Sequence, residues 1–482
     1  MGRIAFFCDL KEATTPLLHF WEHTVGSDHA LVALRADWQS QLQRCHRELG
    51  FQYVRFHGLL SDDMGLLTTV NDKLVYSFFN ADQVCDFLLS IGMKPFVELS
   101  FMPAALASGN RTVFNYKGNV TPPKNYRHWA ALINRLVSHW VHRYGAKEVR
   151  QWFFEVWNEP NLRSFWTGTQ HEYFKLYRYT AQAIKRVDDS LRVGGPATAR
   201  SQWVEDFVKF CERNKVPADF ISTHYYPNDG FEDEPDTKIQ LFKSQRGIMR
   251  QVAQDTLRHA AGRPVYYTEW NSSSDPRDPL HDESYAAAFA VATILEAKGL
   301  VEGYSFWTFS DIFEEISWPS TPFHGGFGLL TLQGIPKPTY RAFELLHQLG
   351  TEQSLVDGLH ETVDCSVIRK QSSVTVLVTN HTTPGHSIET EHLEITLTNA
   401  PEPVVAYISR IDAEHANPKG LWIEMGQPEY LSFKQTQRLH DASLLKKEKQ
   451  SISYTDGTIR LKTDIPPHAV AAITIEFVSM PE

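Results

Sequence analysis

Short apolar runs alternate with longer amphipathic segments through roughly the first 350 positions of the chain. Seven of these runs read as buried strands: YVRFHG (53–58), KPFVELSF (94–101), WFFEVWNEP (152–160), RVGGPAT (192–198), DFISTHYYP (219–227), VYYTEWN (265–271) and YSFWTFSD (304–311). An eighth, less clear strand is expected near HFWEHTVG (19–26). Between the strands, apolar residues recur every three or four positions, as in 129–141 and 174–187, which is typical of helices. The alternation predicts an α/β fold with a closed (β/α)8 TIM barrel over residues 15–350.

The pattern changes after residue 350 to an alternation of apolar and polar positions between turn residues. It is seen in SVTVLVTN (373–380), LEITLTN (393–399), VVAYISRI (404–411), TIRLKT (458–463) and VAAITIEF (470–477). This period of two predicts an accessory antiparallel β-sandwich over residues 351–482, with a helical insert at 431–445. The segment RIAFFCDL (3–10) is expected to add a strand to the sandwich, so residues 1–14 are assigned to it as well.

Composition and charge limit the kinds of partner that the protein is expected to bind and the cellular compartment in which it is expected to act. The net charge of -10 offers no basic surface for nucleic acid, and no run of eighteen apolar residues predicts a membrane helix. The N-terminus lacks the basic and apolar regions of a signal peptide, and the five cysteines are odd in number with no CxxC pair. We therefore expect a cytoplasmic protein, with no cofactor motif and no metal motif.

Polar side chains follow two of the predicted strands at the point where each ends. Asn158 and Glu159 close strand four, and Glu269 closes strand seven. Active sites of such barrels lie at the C-terminal ends of the strands, so both carboxylates face one mouth. A single strand-end Glu is more often solvated or ion-paired, and Glu98 and Glu155 are open to a structural role. Two carboxylates in an aromatic-lined cleft, however, indicate glycoside hydrolysis.

Six motifs in order extend this inference: HFWEHTVGSDHA, YVRFHG, FEVWNEPNL, STHYYP, YYTEWN and YSFWTFSDIFEE. Together they resemble glycoside hydrolase family 39, which contains β-xylosidases and α-L-iduronidases. The resemblance implies a retaining mechanism with Glu159 as acid/base and Glu269 as nucleophile. It also implies a set of substrate-binding residues: His57, Asn158, His224, Tyr226, Trp307 and Glu314, with Glu315 an alternative one position away. Phe114 and Phe165 are expected to form an apolar wall near C5 of a pentose.

Several functional alternatives remain open at this stage. We favour an exo-acting β-xylosidase that releases xylose from short xylooligosaccharides and also cleaves aryl xylosides. An α-L-iduronidase would need a cation for the substrate carboxylate, and the candidates Arg163, Lys243 and Arg277 lie outside the motifs. A carbohydrate-binding protein without activity is the third reading. The sandwich is expected to buttress the barrel rather than bind polysaccharide, and a monomer is favoured over a homotetramer.

Overall fold

The computed structural model of the protein describes residues 3–231 and 233–478. Eight parallel strands close into a barrel in sequence order, which confirms the predicted (β/α)8 architecture. In chain order the barrel strands are β1 (Thr24–His29), β2 (Tyr53–His57), β3 (Lys94–Glu98), β4 (Phe153–Glu155), β5 (Arg192–Thr198), β6 (Phe220–His224), β7 (Val265–Trp270) and β8 (Gly303–Phe306). The residues HFWE, expected in the first strand, lie instead in a turn and a 3-10 helix at Phe20–Glu22, so β1 begins only at Thr24.

Amphipathic helices surround the barrel. They are α1 (Ala36–Leu49), α2 (Phe79–Ser90), α3 (Tyr126–Tyr144), α4 (Gln170–Lys185), α5 (Val204–Asn214), α6 (Ile248–His259), α7 (Ser284–Glu296) and α8 (Pro338–Gln348). Shorter helices lie at Ala146–Val149 and Thr237–Lys243, with 3-10 turns at Ala30–Leu34, Asp62–Met64, Ala199–Ser201 and Pro279–Asp282. Two hairpins pair Leu67–Val70 with Lys73–Tyr76 and Thr112–Val113 with Gly118–Asn119.

Local sequence explains where these elements begin and end. Thr169 and Glu172 form a capping box at the start of α4. Gly50 ends α1 with φ of 78°, a left-handed conformation that glycine adopts without steric cost. The N-terminal end of the barrel interior is filled by rings, including Phe96, Phe153 and Phe220, which pack as one apolar cluster. Polar side chains inside the barrel are therefore concentrated toward the opposite, C-terminal mouth.

The remaining strands form two stacked sheets. One has the order Thr15–Pro16, Glu352–Ser354, Val363–Lys370, Ser373–Asn380, Ala469–Phe477, Pro403–Ile411 and Glu448–Lys449. The other has the order Ile4–Asp9, Glu391–Thr398, Thr458–Ile465 and Ile452–Thr455. Helices Pro418–Glu424 and Phe433–Ala442 interrupt this region. The first strand, Ile4–Asp9, pairs in parallel with Glu391–Thr398, so the sandwich is not wholly antiparallel. Residues 1–2 and 479–482 of the predicted sandwich lie outside the described residues.

The two parts of the chain share one hydrophobic core. Side chains from the sheet nearest the barrel, including Ile368, Leu377 and Val470, belong to the same apolar cluster as the barrel helices. A second cluster fills the space between the two sheets. Hydrogen bonds also cross the boundary, as from Arg341 Nε in α8 to the carbonyl oxygen of Ser443, at 2.7 Å. Among the helices that the structure describes, none is long and apolar enough to cross a membrane.

Candidate active site

The two carboxylates predicted at strand ends lie together at the C-terminal mouth of the barrel. Glu269 is the penultimate residue of β7, and Glu159 follows the end of β4 in a loop. One carboxylate oxygen of Glu159 and one of Glu269 are within 4.8 Å of each other. Glycosidases that use one carboxylate as a nucleophile hold the two groups about 5–5.5 Å apart, whereas inverting enzymes need about 6.5–9.5 Å.

The loop after β4 holds Glu159 in an unusual backbone conformation. Trp157 and Glu159 have φ values of 72° and 44°, in the left-handed region that residues with a Cβ adopt at a cost. The Glu159 N–H donates to the carbonyl oxygen of Ala197 at 2.8 Å. The hydroxyl of Tyr173 lies 2.9 Å from the carbonyl oxygen of Val156. These contacts tie the loop to β5 and α4, and so they fix the direction of the Glu159 side chain.

A fully buried guanidinium, that of Arg55 on β2, joins the carboxylates beneath the cavity. Its Nη1 donates to Glu269 Oε1 at 2.8 Å, and its Nε donates to Glu155 Oε2 at 2.6 Å. Its Nη2 donates to Asn158 Oδ1 at 2.9 Å and lies 3.2 Å from Glu98 Oε2. Buried carboxylates are costly without such partners. Glu98 and Glu155 therefore have the structural role that the sequence left open, as partners of this cation.

Both oxygens of Glu269 accept hydrogen bonds from protein groups. The hydroxyl of Tyr226 donates to Oε2 at 3.0 Å, opposite the Arg55 bond to Oε1. One potential metal-ligating atom from each of Glu159, His224 and Glu269 lies within 4.8 Å of the other two, close enough to surround a metal ion. Because Arg55 and Tyr226 already occupy the Glu269 oxygens, this geometry favours an oriented carboxylate over a metal ligand.

Glu159 has the environment of a proton donor. Burial raises its pKa from 4.5 to about 7, although the positive charges of His57 and Arg55 oppose the rise. His224 Nδ1 lies 3.0 Å from Glu159 Oε1, and its Nε2 lies 3.1 Å from Thr268 Oγ1. Burial lowers the His224 pKa to about 4, so this imidazole is neutral near pH 7. A carboxyl group with such a pKa can exist in both protonation states near neutrality.

Aromatic side chains enclose the space above the carboxylates. Six of the residues predicted to bind substrate line the same cavity as Glu159 and Glu269: His57, Phe114, Asn158, Phe165, Tyr226 and Trp307. The ring centroids of Phe114 and Phe165 are 5.4 Å apart, and those of His57 and Trp307 are 4.7 Å apart. His224 lies behind Glu159 and reaches the site through its hydrogen bond to that carboxyl.

One predicted pocket residue, Glu314, lies outside the cavity. Its carboxylate pairs with Arg35, and its N–H donates to Asp28 Oδ2 at 2.7 Å. The neighbouring Glu315 lines the cavity and is buried. Its Oε1 has His57 Nε2 at 3.5 Å, too far for a strong hydrogen bond. Burial and the nearby Asp28 raise the Glu315 pKa well above its usual value. The structure thus places the alternative position, not Glu314, in the pocket.

Sequence reasoning missed further charged side chains of the site, among them Arg55 and Asp229. Arg55 is two positions before His57 on β2, so the alternation of the strand predicts that both share its inward face. Asp229 lines the cavity and accepts a hydrogen bond from the Tyr226 N–H at 2.8 Å. Burial raises the pKa of Asp229 from 3.8 to about 7. No local pattern identifies Asp229, because it lies in a loop beyond β6.

Comparison with known proteins adds independent information. The sequence profile described as "Glycosyl hydrolases family 39" matches residues 7–460. A β-xylosidase of Caldicellulosiruptor saccharolyticus is 50% identical over 464 residues, covering 95% of this chain and 95% of the relative. A β-xylosidase of Geobacillus stearothermophilus is 37% identical over 478 residues, covering 95% and 92%. The solved structure of a monomeric β-xylosidase from Caulobacter crescentus CB15 superposes with a TM-score of 0.84 at 34% identity, covering 99% and 100%.

Proposed function

Because the chain belongs to glycoside hydrolase family 39, we propose that this hydrolase is an exo-acting β-xylosidase that works with retention of configuration. The observation that carries the retaining mechanism is the spacing of the two carboxylates. Oxygens of the two groups within 4.8 Å lie closer together than the roughly 6.5–9.5 Å by which inverting enzymes separate their carboxyl groups to admit a water molecule.

The first step forms a bond between Glu269 and the sugar. Protonated Glu159 donates its proton to the glycosidic oxygen while a Glu269 oxygen attacks the anomeric carbon. The bond from the anomeric carbon to the leaving oxygen breaks, and the aglycone leaves with the proton. Arg55 and Tyr226 direct the Glu269 oxygens, since each donates to one of them.

The second step returns the enzyme to its starting state. Once Glu269 is an ester, its negative charge no longer faces Glu159, which becomes the base. Glu159 takes a proton from water, the water oxygen attacks the anomeric carbon, and the ester bond to Glu269 breaks. A pKa of about 7 suits a group that must be acid in one step and base in the next.

The cavity supports a single terminal sugar as the glycone. Its volume is about 240 Å³, just below the roughly 300–1,000 Å³ typical of small-molecule sites. Phe114 and Phe165 form an apolar wall, which in the proposed pose lies near C5 and excludes a hydroxymethyl group. Trp307 offers a face for the sugar ring. Discrimination of this steric kind is worth about 1–3 kcal/mol. Side activity on α-L-arabinosides is also expected, because arabinopyranose and xylose differ little in shape.

Two polar groups are suited to the sugar hydroxyls. Asn158, held by Arg55, is proposed to bond the 2-hydroxyl, a contact that strengthens in the transition state. Glu315 has a buried oxygen, Oε1, without a hydrogen-bond partner among the described residues. A substrate hydroxyl would satisfy that oxygen, and buried polar atoms without partners are unfavourable.

The iduronidase alternative has weaker support. The three cations considered for a substrate carboxylate bond elsewhere: Arg163 to the Thr167 carbonyl, Lys243 to Glu234, and Arg277 to Ser317. None of the three lines the cavity. Arg200 does line it, so an iduronide belongs among the test substrates.

Xylooligosaccharides are the proposed partners, and the protein is proposed to act as a cytoplasmic monomer. Support for the monomer comes from the similar Caulobacter crescentus enzyme, which is a monomeric β-xylosidase. Light scattering coupled to size exclusion tests it: the monomer has a mass near 55.1 kDa, and a tetramer would have about four times that value.

Hydrolysis of aryl glycosides tests the function. We expect wild type to cleave p-nitrophenyl β-D-xyloside in preference to the glucoside and the iduronide. Glu269→Ala should be inactive. Glu159→Ala should turn over faster with azide and yield β-xylosyl azide, because azide needs no base to attack the sugar ester. Glu314→Ala, altered outside the cavity, is the matched control and should retain activity.

Each other outcome has a defined meaning. An α-xylosyl azide product would contradict retention. Cleavage of the iduronide alone would be consistent with the retaining mechanism but would contradict xylose as the sugar that is released. Binding of xylose without cleavage of any glycoside would identify a carbohydrate-binding protein and overturn the proposed function.

A further inference from the structure

Two histidines and a glutamate converge at the N-terminal face of the barrel, opposite the catalytic mouth. Glu22 ends the 3-10 helix that leads into β1, and His19 is the residue before that helix. His347 lies in the last turn of α8. One donor atom from each lies within 4.8 Å of the others, although the chain separates Glu22 and His347 by 325 positions. Such a cluster has no signature in local sequence spacing.

Both imidazoles approach the same carboxylate oxygen through Nδ1. His19 Nδ1 is 2.7 Å from Glu22 Oε1, and His347 Nδ1 is 2.9 Å from it. Side chains of His19 and Glu22 are mostly buried, at 16% and 11% exposure, whereas His347 is 38% exposed. The exposed side of His347 gives an ion a route to the cluster.

The second nitrogen of His19 shows which atom is available as a ligand. His19 Nε2 lies 3.2 Å from the carbonyl oxygen of Gly350, which can only accept, so Nε2 carries the proton. In the neutral ring, Nδ1 then presents a lone pair toward a carboxylate oxygen, so either a proton or a metal ion must lie between the two atoms. Metal-binding histidines characteristically donate their other N–H to a backbone carbonyl in this way.

A glycine keeps the space beside the cluster open. An added Cβ at Gly50 would lie 2.6 Å from His347 Nδ1 and 2.7 Å from Glu22 Oε2. Any other residue at position 50 would therefore displace the two side chains whose donor atoms converge.

From these contacts we propose that His19, Glu22 and His347 form a binding site for a divalent transition-metal ion of the zinc class. Two imidazole nitrogens, one carboxylate oxygen and a water complete the tetrahedral set that zinc prefers. Bond lengths of about 2.0–2.2 Å require ligand atoms roughly 3.3 Å apart, so the two contacts between Nδ1 and Glu22 Oε1, at 2.7 and 2.9 Å, need to open by only about half an ångström.

The ion would join three segments of the fold. Glu22 leads into the first barrel strand, His347 belongs to the last barrel helix, and Gly350 stands where the chain leaves for the sandwich. Cross-links that close long loops have the largest effect on the entropy of the unfolded chain. The site therefore acts on stability, at the face of the barrel remote from Glu159 and Glu269.

Metal titration of the full-length protein at pH 7.5 tests the site. We expect one equivalent of Zn²⁺ to bind wild type and raise Tm, and one equivalent of Co²⁺ to give the visible absorption of a tetrahedral complex. His347→Gln should bind Zn²⁺ at least 10-fold more weakly. His392→Gln is the matched control, since His392 pairs with a carboxylate outside the cluster, that of Asp464, at 2.7 Å, and it should bind as wild type does.

Diffraction locates the ion independently of any variant. In zinc-soaked crystals of the wild-type protein, an anomalous peak among His19, Glu22 and His347 would support the proposal. No peak there, or a peak only at the catalytic carboxylates, would overturn it. Equal affinity of His347→Gln and wild type would also overturn it. None of these readouts depends on hydrolysis, so failure of the metal site leaves the proposed function untouched.

Discussion

Burial of a single carboxyl, that of Glu159, sets the pH range expected for hydrolysis. Its pKa is raised to about 7, and the first chemical step needs the protonated form, so activity is present below pH 7 and is lost as pH rises. We predict that kcat/KM for an aryl xyloside with a poor leaving group falls about 50-fold between pH 7 and pH 9, since the protonated fraction falls from about one half to about one hundredth. Initial rates across that range measure it.

Matched variants assign the fall in kcat/KM above pH 7, the alkaline limb of the pH profile, to one titrating group. Glu159→Gln should abolish the limb, because the glutamine does not titrate. Asp229 also has a pKa raised to about 7 and lines the same cavity, so Asp229→Asn tests the competing assignment. A limb that persists in Glu159→Gln and disappears in Asp229→Asn would show that Asp229 governs the profile.

A chain of hydrogen bonds from Thr268 favours the protonated form of Glu159. The Thr268 hydroxyl donates to Glu155 Oε1 at 2.7 Å and therefore accepts from His224 Nε2–H. Neutral His224 then presents an unprotonated Nδ1 to Glu159. In Thr268→Val the acceptor is lost, and the Nδ1–H tautomer can donate to the Glu159 carboxylate, which favours ionisation. We predict that the alkaline limb shifts about one unit toward lower pH, a change of about 1.4 kcal/mol.

The control for this shift is another buried barrel threonine. The Thr223 hydroxyl donates to the Thr198 carbonyl oxygen at 2.8 Å rather than to the histidine chain. Thr223→Val removes a buried hydroxyl on β6 without changing the partners of His224, so its pH profile should match wild type. Equal profiles for Thr268→Val and wild type would contradict the proposed tautomer.

At the scale of elements, helix α4 positions the loop that carries Glu159 through a single hydroxyl group, that of Tyr173. Tyr173 Oη lies 2.9 Å from the carbonyl oxygens of both Val156 and Pro196, which belong to the chain after β4 and to β5. We predict that Tyr173→Phe lowers kcat about tenfold and destabilises folding by about 1–3 kcal/mol, because buried carbonyls lose their donor and Glu159 loses its support. Steady-state kinetics and urea unfolding measure the two effects.

A second tyrosine on α4 separates positioning from general damage to the helix. Tyr179 is half-buried and lies beside Tyr126, with ring centroids 5.6 Å apart. Tyr179→Phe keeps that contact, so both kcat and stability should stay near wild type. If the two variants have the same kcat, the loop does not depend on the Tyr173 hydroxyl.

The elements and the site differ in how far sequence can predict them. Buried parallel strands give continuous apolar runs, so seven of eight were evident, and β1 was shifted because the apolar residues before it form a 3-10 turn. Strand ends located Glu159 and Glu269. Glu314 and Glu315 are adjacent carboxylates, and only the local direction of the backbone decides which one enters the cavity. Contacts between distant positions, such as His19 with His347, depend on tertiary packing.

At the scale of the whole molecule, the sandwich and the barrel are coupled through shared apolar contacts. Leu377 and Val470 lie in the sandwich sheet, yet they pack in the same cluster as the barrel helices. Lys419 also pairs with Glu283 beside α7, at 2.7 Å. Surface buried in this way cannot be exposed without a loss of hydrophobic stabilisation of about 25 cal/mol per Å². This favours a buttress over an independent binding module.

We therefore predict a single unfolding transition for the whole chain. Leu377→Asp places an unpaired charge in the shared core and should lower Tm by roughly 5 °C or more in that one transition, with activity lost at the same temperature. Val404→Asp, at a position 63% exposed on a sandwich strand, is the control and should melt near wild type. Calorimetry with parallel activity assays measures both. Two separate transitions, or a soluble and active fragment ending at Gly350, would show instead that the barrel folds without the sandwich.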